Sequence, residues 1–235
     1  MRILLTGGEG FIGSAFYNKL HNKYDIVKYN DNIRYFTGHL TNTLSFYDVV
    51  VHLAALVGVR SSWKDPVGYW ETNVTASKKI FNWASNNNVR IIYASSSSIY
   101  EWWLNPYAAS KKAMEEIAPA YSTGMRFHTV WGPNSRTDMF YDMMLKGKLD
   151  YLTTHERDFT HVDDVVNAID ILIQTSCTPK YVDIGTGTVF KVTDIAKKYG
   201  YGHLPIRETT GERLHTKADN SYMRSLGWEP TKYII

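Results

Sequence analysis

Residues 2–14, RILLTGGEGFIGS, run from an apolar pentad through three glycines into an amphipathic stretch. "RILLT" reads as a short buried strand. Phe11, Ile12, Ala15, Phe16 and Leu20 recur at helical spacing. A strand that passes through glycines straight into a helix leaves few folds open. Gly7 permits the tight turn, Gly10 lets a pyrophosphate approach the backbone, and Gly13 lets the helix pack closely on the strand. The helix N-terminus then faces the anion.

The rest of the first half keeps this rhythm. Residues 25–30 read as a second strand ending in Asp31-Asn32, and residues 48–54 as a third, uninterrupted and β-branched as in a sheet buried on both faces. A long helix over 66–87 opens with Pro66. A strand over 89–95, a helix over 106–120 and a strand over 125–130 follow. This βαβ alternation predicts an α/β fold, a doubly wound parallel (Rossmann) sheet. After Gly132-Pro133 the rhythm breaks. Helices are expected over 138–147, 161–175 and 191–199, a strand over 179–184, and turns over the last thirty residues. The expected domains are therefore 1–132, with 157–186 packing back onto it, and a smaller substrate-binding part made of 133–156 and 187–235.

Asp31 lies eighteen residues beyond Gly13, at the end of the second strand. A carboxylate there accepts hydrogen bonds from both adenosine ribose hydroxyls and repels a 2′-phosphate, which favours NAD over NADP. The competing role for Asp31 is a turn cap before Asn32.

Composition narrows the classes. The net charge is +3 with Lys and Arg scattered, which is no nucleic-acid signature. The single cysteine, Cys177, excludes an internal disulfide and a Cys-based zinc cage, and the eight histidines lack ligand spacing, so no metal is expected. No run approaches the ~18 apolar residues of a membrane span, and "MRILL" is too short for a signal peptide. A soluble, cytoplasmic protein is the expectation.

Residues 91–111, IIYASSSSIYEWWLNPYAASK, join a strand end, four serines and a helix carrying Tyr107 and Lys111. A YxxxK pair alone means little, and Tyr24 with Lys28 forms a second one. Tyr107 and Lys111 differ by position. They open a helix, where residues four apart share a face, at the carboxyl end of a parallel strand, where ligands bind.

With "TGGEGFIGS", "VVHLAALVGVRSS", "YASSSSIY", "PYAASK", "RFHTVWGP", "RDFTHVDDVV" and "GERLHTKAD" together, the chain resembles the extended short-chain dehydrogenase/reductases that epimerise or dehydrate nucleotide sugars. The resemblance implies Ser96, Tyr107 and Lys111 as catalytic residues. Lys111 would stabilise a Tyr107 phenolate, whose free pKa of about 10 is too high for a base at neutral pH. Ser96 would hydrogen-bond the same sugar oxygen. The implied NAD-binding set is Gly7, Gly10, Phe11, Ile12, Gly13, Asp31, Asn32, His39, Leu40, Leu53, Ala54, Ala55 and Asn73, with Tyr107 and Lys111. Substrate contacts are implied at Ser97, Thr129, Arg136, Arg157 and Arg207. Each arginine could equally serve a surface ion pair, and Asp158 is expected to fix the local fold. Relatives dimerise through the helices corresponding to 66–87 and 106–120, so a homodimer is expected.

Dehydratases of this family carry Asp-Glu after the catalytic Ser/Thr. Ser97 and Ser98 stand there instead, which points to epimerisation at C4. "AALVGVRSS", "YASSSSIY" and "RFHTVWGPNSRTDM" resemble the branch that interconverts UDP-glucuronate and UDP-galacturonate, with UDP-glucose/UDP-galactose as the alternative. The segment between Tyr100 and Tyr107 is much shorter than in relatives, and His39 stands where the family places an aspartate. An NAD-binding protein of the same fold without turnover is the other reading.

Overall fold

The computed structural model describes residues 1–38 and 46–235. The chain runs through β1 (Arg2–Thr6), α1 (Phe11–Leu20), β2 (Asp25–Tyr29), a 3-10 turn at Ile33–Tyr35 and β3 (Val49–His52). Next come α2 (Val59–Ser62), α3 (Pro66–Trp70), a π-helical turn at Glu71–Ala76 and α4 (Ser77–Asn86). These lead to β4 (Arg90–Ser96), a 3-10 segment at Ser97–Leu104, α5 (Pro106–Ile117) and β5 (Thr123–Phe127). The remainder comprises β6 (Thr129–Trp131), α6 (Phe140–Leu145), β7 (Glu156–His161), α7 (Val162–Gln174), β8 (Tyr181–Ile184), β9 (Val189–Lys191), α8 (Val192–Lys198) and α9 (Ser221–Ser225).

The main sheet has the order β2-β1-β3-β4-β5-β8, and β1 pairs in parallel with β2 on one side and β3 on the other. The chain direction across the sheet therefore reverses at β1/β3, the switch point where open α/β sheets bind ligands. Leu4, Val50, Ile91 and Tyr93 bury one face of the sheet in a cluster with Ile80, Phe81, Ala84 and Met114 of α4 and α5. Ile3, Leu5, Val51 and Ile92, of opposite parity along the strands, are equally buried. Both faces are covered, which explains the unbroken apolar strands in the sequence.

Local chemistry sets the helix starts. Asp65 accepts from the Gly68 N–H at 2.9 Å and Pro66 follows it, a pre-formed first turn. Asn105 accepts from the Ala108 N–H at 2.8 Å ahead of Pro106 in the same way. The helix expected over 66–87 is interrupted: a π turn at Glu71–Ala76 joins α3 to α4.

The chain divides into two compact units. One comprises Met1–Arg126 with Leu172–Val182, the other Phe127–Ile171 with Asp183–Ile235. In the first, Arg90 donates to the carbonyls of Leu172 and Thr175 at 3.0 and 2.6 Å, meeting the orphan acceptors at the end of α7. In the second, β6, β7 and β9 form a separate three-stranded sheet. Its core holds Trp131, Met144, Phe159, Val192, Ile195 and Ile234. The sequence reading assigned no strand to 156–161; there Asp158, Phe159 and Thr160 are all buried, so burial on both faces hides the alternation. Among the described residues no helix is long and apolar enough to cross a membrane.

Candidate active site

The glycine loop joins β1 to α1. Gly7 has φ +71°, and a Cβ there would lie 2.6 Å from the Ala54 nitrogen. A Cβ on Gly13 would lie 2.0 Å from the Gly7 carbonyl oxygen. Only glycine allows the turn and the close approach of helix to strand. Gly10 sits at the N-cap of α1, with no capping side chain and no acidic residue in the first turn. The N–H groups of Phe11, Ile12 and Gly13 therefore remain available to an anion.

A cleft of about 290 Å³ opens beside this loop. Gly7–Gly10 form one wall, residues 29–33 another, and Leu53–Leu56 with Thr72 the rest. Asp31 is exposed at the end of β2, while Asn32 accepts from the Arg34 N–H at 3.0 Å. An open helix terminus at one end and a carboxylate at the other suit a dinucleotide with a free 2′-hydroxyl. Glu9 is the one acid in the glycine loop, and it is held by Lys28 at 2.5 Å, over the ring of Tyr17. Lys28 of the second YxxxK pair is thus engaged on the glycine loop, and Tyr24 is buried. His39 and Leu40 lie outside the described residues.

The loop after β3 is held from behind. Asn73, fully buried in the π turn, accepts from the Leu56 N–H at 2.8 Å and donates to the Leu56 carbonyl and to Ser110 Oγ, each at 2.9 Å. Both its N–H bonds are thereby spent on protein groups. Thr6 Oγ1, His52 and Ser77 form a hydroxyl–imidazole–hydroxyl chain at 2.7 and 2.9 Å, and Thr6 Oγ1 also accepts from the Ala54 N–H. Burial, with the Lys111 charge adding to it, pushes His52 down to about 3, so its imidazole is neutral.

Ser96 ends β4. Its Oγ accepts from the Ser98 N–H at 3.1 Å, an ST turn that leaves the hydroxyl proton to donate elsewhere. Tyr107, half-buried in the first turn of α5, packs edge-on to Tyr69 with ring centroids 6.2 Å apart. One turn on, the buried Lys111 ammonium donates to the Ala94 carbonyl at 2.7 Å, two residues before Ser96. Burial pushes Lys111 down to about 7, against the opposing pull of Glu115. The fold thus brings the Ser96 strand end and the Tyr107–Lys111 helix together through this hydrogen bond. Ser97 is buried in the 3-10 segment that follows, and Trp102 and Trp103 of that segment are exposed.

The candidate substrate residues of the second unit are individually placed. Thr129 opens β6 opposite Phe159 of β7. Arg157 lies 3.8 Å from Glu212. Arg207 stacks over Tyr151 at 4.8 Å. Arg136 is half-exposed and paired with Asp138 at 2.9 Å. Asp158 is fully buried and accepts from Thr186 N, Thr186 Oγ1, Gly187 N and Ala218 N. Such a carboxylate fixes the fold around it.

Sequence reasoning did not single out Arg34, Glu115 or Arg126. Arg34 reaches from the 3-10 turn to Thr72 Oγ1 at 2.6 Å and the Gly68 carbonyl at 2.9 Å, bracing the cleft wall. Glu115 and Arg126 form a bidentate pair behind Lys111. Arg34 and Arg126 are lone charges without a spacing pattern, and the only signal for Glu115 is its place four residues after Lys111.

Residues 3–185 match the model of the NAD dependent epimerase/dehydratase family. The chain is 32% identical to protein CapI of Staphylococcus aureus, over 95% of this chain and 86% of that protein. It is also 32% identical to UDP-glucuronate 4-epimerase 6 of Arabidopsis thaliana, over 71% of this chain and 50% of that protein. Among solved structures it resembles MoeE5 in complex with UDP-glucuronic acid and NAD, at a TM-score of 0.87 and 27% identity, over 100% of this chain and 95% of that one. The chain belongs to the NAD dependent epimerase/dehydratase family.

Proposed function

We propose that the protein epimerises a UDP-sugar at C4, with UDP-glucuronate and UDP-galacturonate as the favoured pair. The observation that carries this reading is the Lys111–Ala94 hydrogen bond, which fixes a buried cation one helical turn from Tyr107 and two residues from Ser96. Family membership and the UDP-glucuronate 4-epimerase relative support it.

NAD, when bound, supplies the hydride acceptor at one stage and the hydride donor at the next. Gly7, Gly10 and the first turn of α1 would hold its pyrophosphate, and Asp31 its adenosine ribose. The Lys111 ammonium lowers the cost of a Tyr107 phenolate, which takes the proton from the sugar 4-hydroxyl. The Ser96 hydroxyl donates to the same oxygen as it becomes a carbonyl. Turning the 4-ketone over before hydride return inverts the centre, with Tyr107 giving the proton back. Ser97 and Ser98, lacking carboxylates, provide no acid–base pair for water loss. Thr129 is the proposed determinant of the uronate, through a neutral donor to the carboxylate. Arg157, Arg136 and Arg207 are the proposed partners of the diphosphate.

The test is incubation with NAD and either UDP-glucuronate or UDP-glucose, followed by chromatographic separation of the 4-epimers. UDP-galacturonate should form from the first, and Tyr107→Phe should abolish it. A Thr129→Asn variant should shift preference toward the neutral hexose. No epimer from any UDP-sugar by a protein that still binds NAD would leave only the cofactor-binding reading.

A further inference from the structure

Glu115 is fully buried yet no step above uses it. It lies one turn beyond Lys111 on α5, so the two side chains share a helix face. Its carboxylate is held by three donors. Ser95 Oγ donates to Oε1 at 2.6 Å, Arg126 Nε to Oε1 at 2.9 Å, and Arg126 Nη2 to Oε2 at 2.9 Å. Two of the three come from one guanidinium, so the carboxylate is met by charge-assisted hydrogen bonds. Arg126 carries the connection further, donating to the Tyr100 hydroxyl at 3.2 Å with its guanidinium 5.1 Å from the Tyr100 ring and 4.3 Å from the Tyr181 ring. One ion pair therefore joins the serine before Ser96, the helix of Tyr107 and Lys111, and the 3-10 segment between them.

We propose that Glu115 is a positioning residue for Lys111: fixed by Ser95 and Arg126, its carboxylate supplies the negative charge that accompanies the buried ammonium. The proposal rests on the epimerase reading above. The groups near Lys111 include the Glu115 carboxylate, which is bonded to Ser95, next to the Ala94 carbonyl that holds Lys111. On α5 these are Tyr107 and Glu115. From β3 comes His52, which is neutral, and from β4 the Ala94 carbonyl. Arg126 of β5 stands beyond Glu115.

The experiment follows the Lys111 side chain by NMR in protein labelled at the lysine ε-carbon, with the resonance assigned through Lys111→Arg. Glu115→Gln removes the anion and leaves Arg126 unpaired, so the Lys111 midpoint should fall by about one pH unit or more. Both limbs of the kcat/KM profile for UDP-sugar epimerisation should move down with it. Glu115→Asp should restore most of the shift. Arg126→Met removes the cation and keeps the anion, so the midpoint should rise. A folded Glu115→Gln protein whose Lys111 titrates as in the wild type overturns the proposal. Should that variant not fold, an unchanged or lowered midpoint in Arg126→Met overturns it instead. If the wild type epimerises no UDP-sugar, the activity reading fails, while the titration still decides the part played by Glu115.

Discussion

Asn73 and Ser110 are joined by a 2.9 Å hydrogen bond through the protein interior, and Ser110 in turn donates to the Tyr107 carbonyl at 2.8 Å. The loop that lines the cleft beside Gly7–Gly10 and the helix that carries Tyr107 therefore share one buried amide. Asn73→Ala leaves the Leu56 N–H and carbonyl without that partner, at a cost of about 1–3 kcal/mol. Denaturant unfolding should show that loss, and NAD affinity should fall with it. Unchanged stability would mean that the loop is held by other contacts.

Gly13→Ala puts a methyl 2.0 Å from the Gly7 carbonyl oxygen, and backbone must move to admit it. The displaced loop distorts the proposed pyrophosphate site, so NAD affinity should fall at least about tenfold, equivalent to ~1.4 kcal/mol. Titration of NAD against intrinsic tryptophan fluorescence measures this directly.

Asp31 lines the cleft at the end of β2. Asp31→Ala removes the proposed acceptor for the ribose hydroxyls and the charge that would oppose a 2′-phosphate. The ratio of NAD to NADP affinity should drop about tenfold or more, mostly through weaker NAD binding. An unaltered ratio would place the adenosine elsewhere.

Lys111 has the opposite signature, because its charge is costly to the fold. Burial lowers it from 10.5 to about 7. Between those values the unfolded chain binds more protons than the folded one, so this group makes stability rise with pH through that window. Lys111→Met should abolish epimerisation and yet stabilise the apo-protein by about 1–3 kcal/mol at pH 7 or below. The gain should shrink toward pH 10, where the wild-type lysine is neutral in the fold. Unfolding midpoints of both proteins at pH 6, 8 and 9.5 test the sign.

Much of the first unit was legible in the residues themselves. The apolar runs ending at Thr6, His52 and Ser96 are strands because their side chains are buried on both faces, and no other local pattern competes. Gly7 and Gly13 announced the loop because the clash they avoid is severe. The π turn at Glu71–Ala76 was not legible, since apolar spacing on either side of it remains helical. β7 was hidden by Glu156, Arg157 and Asp158, whose charges suggest a surface loop until Asp158 is seen with its four donors. Asn73 was implied as a cofactor residue by resemblance, and its side-chain hydrogen bonds run to Leu56 and Ser110. The partnership of Glu115 with Ser95 and Arg126 depends on tertiary packing and on residues 20 and 11 positions away.

The wide turn between α3 and α4 acts as a phase adjuster. An α-helix advances about 100° per residue, so one residue of slack re-aims everything downstream by that angle. Asn73 points toward Leu56 and Ser110, while Ile80, Phe81 and Ala84 point into the sheet cluster. Deleting a single residue within Glu71–Ala76 would spoil one alignment or the other, so apart from Asn73 this short stretch should tolerate substitution better than a change in its length.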